Sequence, residues 1–148
     1  MDYLAIIEDL PHHIRDAVKL ASSVRVDGDI DSILVTGMGG SGIPANIVAA
    51  LLKDSRVPVV VNKDYTIPAF VNEKTLVFVV SYSGNTEETL SAFKDAQKKR
   101  AWIVVITSGG KLKQSDVGVK QIIIPAGMPP RSAVGFLLFP ILVVLHNS

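Results

Sequence analysis

The chain has 148 residues, with 15 Lys+Arg against 14 Asp+Glu, 48% hydrophobic residues and no cysteine. A length of that order favours a single domain over 1–148 and buries roughly 68–70% of the surface an extended chain exposes, enough for a core without metal or disulfide staples. Without a thiol there is no disulfide framework, thiolate nucleophile, Cys-ligated zinc or iron-sulfur cluster, and a formal net charge of +1 supplies no single-sign field for nucleic acid or an acidic membrane surface.

The amino terminus, Met1-Asp2-Tyr3-Leu4-Ala5-Ile6-Ile7-Glu8-Asp9, is acidic where a secretory signal is basic and lacks a long apolar stretch. That predicts an unprocessed protein of the cytoplasm. An amphipathic helix carrying His12 and His13 opens the chain. Aliphatic and β-branched runs then recur at 33–35, 57–61, 76–80, 102–106 and 121–124 and read as strands. All but the last are unbroken rather than alternating, which suits strands covered on both faces. Residues 43–53, 86–100 and a short stretch at 111–116 read as helices between them. An apolar run at 133–145 reads as a closing helix; it is shorter than the roughly 20 residues that span a bilayer, and Pro140 interrupts it, so no membrane partner is expected. Strands alternating with helices predict βαβ units, hence an α/β fold: a three-layer α/β/α sandwich around a five-stranded parallel sheet. The longest irregular connection is 62–72, where Lys63-Asp64-Tyr65 has the polarity of a surface loop. In such sheets ligands lie beyond the carboxyl ends of strands, where the strand order reverses.

After the first strand comes Gly37-Met38-Gly39-Gly40-Ser41-Gly42-Ile43-Pro44, leading into a helix. Glycines let the backbone turn tightly and approach a ligand, and free N–H groups at a helix start point at an anion. Proline is favoured in the first helical turn, so Pro44 fits. The string also matches G-x-G-x-x-G, the dinucleotide fingerprint, which makes a nicotinamide or flavin module a competing reading. That fingerprint expects an acid at the end of the second strand, where this chain has Asn62-Lys63 and then Asp64. The P-loop fails, since no Gly-Lys-Ser/Thr occurs.

The third strand opens into Ser81-Tyr82-Ser83-Gly84-Asn85-Thr86-Glu87-Glu88, again before a helix. Ser81 and Ser83 offer hydroxyl donors, Gly84 and Asn85 tolerate left-handed backbone, and Thr86 is placed to cap the helix while facing the same anion. Neutral donors around a helix N-terminus describe a phosphate site that needs no fixed cation. A dinucleotide binder has no specific use for this second turn; a phosphate-ester site built from adjacent strand ends uses both.

These two strings, together with Thr107-Ser108-Gly109-Gly110-Lys111-Leu112 and Pro125-Ala126-Gly127-Met128-Pro129-Pro130-Arg131-Ser132-Ala133, resemble the SIS (sugar isomerase) domain, and within it the first domain of bifunctional phosphoglucose/phosphomannose isomerases. The resemblance covers essentially the whole chain, with the four blocks in the family's order. It implies a flavodoxin-like strand order and interconversion of glucose 6-phosphate or mannose 6-phosphate with fructose 6-phosphate through an enediolate. It also implies a place in glycolysis or gluconeogenesis and no cofactor. By the same resemblance Ser81, Ser83 and Thr86 hold the substrate phosphate, Gly40 and Ser41 line the sugar side, and Arg131 lies beside the reacting carbons. The chemistry agrees with the last assignment. Removing a proton alpha to a carbonyl builds negative charge that a nearby cation stabilises, and an arginine after Pro129-Pro130 is stiffly mounted and always charged.

Such a reaction also needs a carboxylate base and a group to open the sugar ring. In the full-length family these are a glutamate and a histidine of a second SIS domain, joined by a lysine near the C-terminus, and no residue here corresponds to any of them. Glu87 and Glu88 read as complements to the helix dipole. His12, His13 and His146 lack partners at metal-ligand spacing, and no metal site is expected. A hydrolase elbow fails because Ile43 replaces the second glycine of G-x-S-x-G. The closing helix is apolar nearly all round, which predicts burial on more than one side. Its expected partner is a second SIS domain or another copy of the chain, forming a homo-oligomer. Two readings besides the isomerase stay open: a non-catalytic phosphosugar-binding module and a nicotinamide-binding domain.

Overall fold

The computed structural model describes residues 2–114 and 118–148. Five strands, β1 (Ser32–Thr36), β2 (Val59–Asn62), β3 (Thr75–Val80), β4 (Trp102–Thr107) and β5 (Lys120–Ile123), form one sheet in the order β2-β1-β3-β4-β5. Every neighbouring pair is parallel. This is the flavodoxin-like order, and it reverses between β1 and β3.

Among the described residues, six α-helices accompany the sheet: α1 (Tyr3–Glu8), α2 (Leu10–Ala21), α3 (Ile43–Leu51), α4 (Glu87–Lys98), α5 (Gly110–Lys113) and α6 (Val134–Asn147). The strands read as unbroken apolar runs because alternate residues feed two different cores. Ile33, Val35, Leu76, Phe78, Val80, Val104 and Ile106 pack with α2, α3 and α6 on one face. Leu34, Val77, Val79, Ile103 and Val105 pack with Phe93 and Ala96 of α4 and Leu112 of α5 on the other. The expected three layers are therefore present.

Local chemistry moved several element ends. The opening helix is two helices, because Pro11 has no N–H to give and is accommodated only in the first turn of α2. The second strand starts at Val59 rather than 57, after Pro58, and the last runs from Lys120 to Ile123 rather than 121–124. The helix expected over 86–100 ends at Lys98, with Arg100 in the left-handed region at φ 58°. The short helix expected at 111–116 is α5, which starts one residue earlier at Gly110 and ends at Lys113; positions 115–116 lie outside the described residues. Pro140 does not stop the closing helix: it is buried inside α6, where packing against α2 and α3 holds the turn that lacks its hydrogen bond.

The 62–74 connection has no helix of its own. Ile67 and Val71 cover part of the second core, and Nζ of Lys99, just past the end of α4, donates to the carbonyls of Pro68 and Ala69 at 3.3 Å each. No helix among the described residues is long and apolar enough to cross a membrane.

Candidate functional site

The turns after β1 and β3 lie side by side at the carboxyl pole, where the strand order reverses. Glycine makes that approach possible. A Cβ on Gly37 would lie 2.5 Å from the Ser41 carbonyl oxygen and 2.9 Å from that of Val80, so no larger residue fits between the first turn and the end of β3. The first turn is a 3-10 turn over Gly39–Gly42 that runs into α3, with Pro44 in the helix's first turn as expected. Ser41 is buried and bridges the two turns: its Oγ accepts from the Tyr82 N–H at 3.0 Å, which leaves its own hydrogen for a ligand.

The second turn gathers three hydroxyls. Ser81 Oγ lies 3.0 Å from Thr86 Oγ1 and 3.5 Å from Ser83 Oγ. Ser81 is buried and its Oγ also accepts from Gly84 N–H at 3.1 Å, whereas Ser83 is exposed and accepts from Asn85 N–H at 3.2 Å. Thr86 departs from expectation. It occupies the N-cap position of α4, but its side chain makes no capping bond and turns to Ser81 instead. The first-turn amides of α4 thus keep their hydrogens for an anion. Asn85 also differs. Only Gly84, at φ 71°, is left-handed, and Asn85 contributes through its side chain, whose Oδ1 accepts from Lys111 N–H at 3.0 Å.

The turn after β4 buttresses this arrangement. A Cβ on Gly84 would lie 1.9 Å from the Gly109 carbonyl oxygen, and one on Gly110, at φ 67°, would lie 2.2 Å from that of Ser83. The two turns interlock with no room for side chains.

Arg131 lies in a 3-10 turn over Pro130–Ser132, between β5 and α6. It is exposed and forms no ion pair among the described residues. Its backbone is packed on the first turn: a Cβ on Gly40 would lie 2.8 Å from Arg131 N. Gly40 thus joins the loop carrying the arginine to the glycine turn, so all six expected residues lie at one pole.

The remaining candidates have other occupations. Glu87 and Glu88, in the first turn of α4, flank Tyr65 from the β2–β3 connection; the charge of Glu88 above all, then partial burial and Glu87, pushes the Tyr65 phenol above its ordinary range. His12 Nδ1 and His13 Nε2 contact the Asp9 carboxylate at 2.8 and 3.3 Å, and the His13 ring packs on Phe136 with centroids 4.9 Å apart. His146 is exposed at the end of α6.

Two residues at this pole escaped the sequence reading. Lys63, just past β2, has its stem against the first turn, its Cε 3.4 Å from where a Cβ on Gly42 would lie. Tyr82 is buried and continues the alternation of Leu76, Phe78 and Val80 one step past the strand end, the signal by which it was findable.

Comparison with known proteins agrees with this geometry. The SIS domain profile matches residues 29–135, which span β1 through the arginine turn to the start of α6. A bifunctional phosphoglucose/phosphomannose isomerase from Caldicellulosiruptor bescii is 44% identical over 144 residues, 93% of this chain and 42% of that protein. The namesake from Thermoplasma acidophilum is 50% identical over 129 residues, 87% of this chain and 40% of that protein. The chain therefore spans about two fifths of the length of these relatives. A solved phosphoheptose isomerase from Neisseria gonorrhoeae superposes with a TM-score of 0.69 over 99% of this chain and 93% of its own at 16% identity, a likeness of fold. With the SIS profile matching well over half of its length, the chain belongs to the SIS domain family.

Proposed function

We propose that the chain binds a hexose 6-phosphate and serves as one SIS domain of a cytoplasmic phosphoglucose/phosphomannose isomerase, without a cofactor. The observation that carries this reading is the cluster of Ser81, Ser83 and Thr86 hydroxyls, 3.0 and 3.5 Å from Ser81 to the other two, at the uncapped N-terminus of α4. Hydroxyls and first-turn amides together supply donors to phosphate oxygens, and the helix dipole favours the charge without a cation.

With the phosphate fixed there, the sugar extends across Ser41 and Gly40 toward Arg131. In aldose–ketose interconversion a base removes the proton from the carbon next to the carbonyl, and electrons move onto oxygen to give an enediolate. The Arg131 guanidinium stabilises that charge; the hydroxyl proton passes from one enediolate oxygen to the other, and returning the abstracted proton to the former carbonyl carbon completes the isomerisation. Neither base nor ring-opening group is assigned within this chain. Both would come from a second SIS domain or a second copy of the chain, docked on the half-buried apolar residues Leu138, Phe139, Leu142, Val143 and Leu145 of α6. A second reading, binding without catalysis, is favoured by Glu87 and Glu88 lying beside Tyr65.

Thermal unfolding with ligand is the test. Fructose 6-phosphate at 100 times its dissociation constant should add about 2.7 kcal/mol of stability, and NAD none. Ser83→Ala removes a bond to a charged group worth about 1.5–3 kcal/mol and should weaken the sugar phosphate about ten- to a hundredfold. An unchanged affinity would place the phosphate elsewhere, and a response to NAD alone would favour the dinucleotide reading. A coupled isomerase assay with a second SIS domain supplied separately divides catalyst from binding module.

A further inference from the structure

Tyr82 occupies the middle of the phosphate turn, yet its side chain points away from the three hydroxyls into the core under α6. Its hydroxyl donates to the Pro125 carbonyl and accepts from the Met128 N–H, both at 3.0 Å. The two partners lie at either end of the first loop after β5, so one phenol closes that loop against the turn. Its backbone is equally committed. The N–H donates to Ser41 Oγ at 3.0 Å, and the carbonyl accepts from the Ser108 N–H at 3.1 Å and from the Ser108 hydroxyl. One residue thereby joins four of the segments at the pole, those following β1, β3, β4 and β5.

The route from the phenol to Arg131 is short and stiff. Met128 is followed by Pro129 and Pro130, whose rings fix φ, and the turn is then closed by Ser132 N–H to Pro129 O at 2.9 Å and Ala133 N–H to Pro130 O at 3.2 Å. Beneath it the Arg131 backbone rests on Gly40. Among the described residues, it is the Tyr82 hydroxyl that ties the upstream end of this stretch to the phosphate turn by side chain. Ring burial alone would be served equally by phenylalanine, so the hydroxyl is the informative atom.

We propose that Tyr82 is a positioning residue: its hydroxyl clamps the 125–128 loop so that a phosphosugar held at 81–86 meets the Arg131 guanidinium at a fixed distance. The inference rests on the phosphosugar reading for its ligand, whereas the clamp is measurable without ligand.

The test is Tyr82→Phe in the 148-residue chain, read two ways. By amide hydrogen exchange, Met128 in the unmodified protein should exchange far more slowly than Gly127, and the variant should speed Met128 at least tenfold while leaving the amides of Tyr82 and Gly84 slow. By calorimetry, the variant should lose about tenfold in affinity for fructose 6-phosphate, keep its affinity for inorganic phosphate, and lose nothing further when combined with Arg131→Ala. A merely structural tyrosine would lower the melting temperature without this selectivity or non-additivity. Slow Met128 exchange in the variant, fast Met128 exchange in the unmodified chain, or additive losses would each overturn the clamp. If the unmodified chain binds no fructose 6-phosphate, the phosphosugar reading fails, and the Met128 exchange rates still decide the clamp. Should the variant not fold, the exchange rates of Met128 and Gly127 in the unmodified chain decide it.

Discussion

The proposed phosphate turn and the arginine segment meet at one pole of the sheet, yet they are held by different means. The turn at 81–86 grows directly out of β3, and its neighbour after β4 locks it through two glycines with no clearance, Gly84 and Gly110. The arginine segment has no such frame. It is an irregular stretch fixed by one phenol upstream, the flank of Gly40 below and α6 downstream. An anion cradle made of backbone and short hydroxyls loses little side-chain freedom when it binds, because it is already ordered. A guanidinium on a long, exposed stem is only as well placed as the loop beneath it. On the proposed function, the grip on the ligand is the half of the site framed by the sheet and the cation the half that depends on its loop.

The sharpest way to break that contrast is to unlock the turn. Gly110→Ala puts a Cβ 2.2 Å from the Ser83 carbonyl oxygen at φ 67°, so both sterics and backbone strain oppose it. A loss of about 2–4 kcal/mol is expected, lowering the melting temperature by roughly 10 °C. Gly109→Ala is the control next door. Its φ of 172° is extended backbone and its Cβ would meet nothing within 4 Å, so the change should be within about 0.5 kcal/mol of neutral. Equal melting curves for the two variants would show that the interlock is not what fixes the turn.

A milder change moves the loop-dependent half alone. Gly40→Ala brings a methyl to 2.8 Å from Arg131 N, and backbone must shift to admit it. The cost should be about 1–2 kcal/mol of stability. Affinity for fructose 6-phosphate should fall more than affinity for inorganic phosphate, since the phosphate donors sit on the other turn. Parallel losses for both ligands, measured by calorimetry, would mean that the two halves move as one.

The same contrast explains what the sequence disclosed. Layers and both glycine turns were legible, because unbroken apolar runs and glycine-rich breaks are written locally; the strand order came from the family resemblance, since strand pairing joins segments far apart in sequence. Ser81, Ser83 and Thr86 were legible because a short hydroxyl two or five residues away on a tight turn has few places to go. The orientation of Thr86 was not: capping α4 and pairing with Ser81 are both open to a threonine there, and three-dimensional proximity selects the second. The role of Tyr82 was hidden for a similar reason, since its partners are 43 and 46 positions away. The closing helix was legible despite Pro140, whose helix-breaking tendency is overridden by the α2 and α3 packing of α6.

The smallest expected effect concerns the acids of the first α4 turn, which stand next to the cradle and would repel a phosphate if they faced it. Their observed neighbour is Tyr65, whose ionisation would create a second negative charge beside Glu88 and Glu87, so its pKa is raised above 10.0. Glu88→Gln removes the larger influence and should bring the Tyr65 value down toward 10.0, while Glu87→Gln should move it less in the same direction. The shift can be followed by NMR titration of the Tyr65 ring carbon bearing the hydroxyl. Because the phenol is exposed, neither change should alter the melting temperature measurably near neutral pH, where Tyr65 is protonated in the folded and unfolded chain alike. A Tyr65 value that ignores Glu88→Gln would instead turn that carboxylate toward the hydroxyl cluster, and with it reopen Glu88 as a group that acts on the ligand.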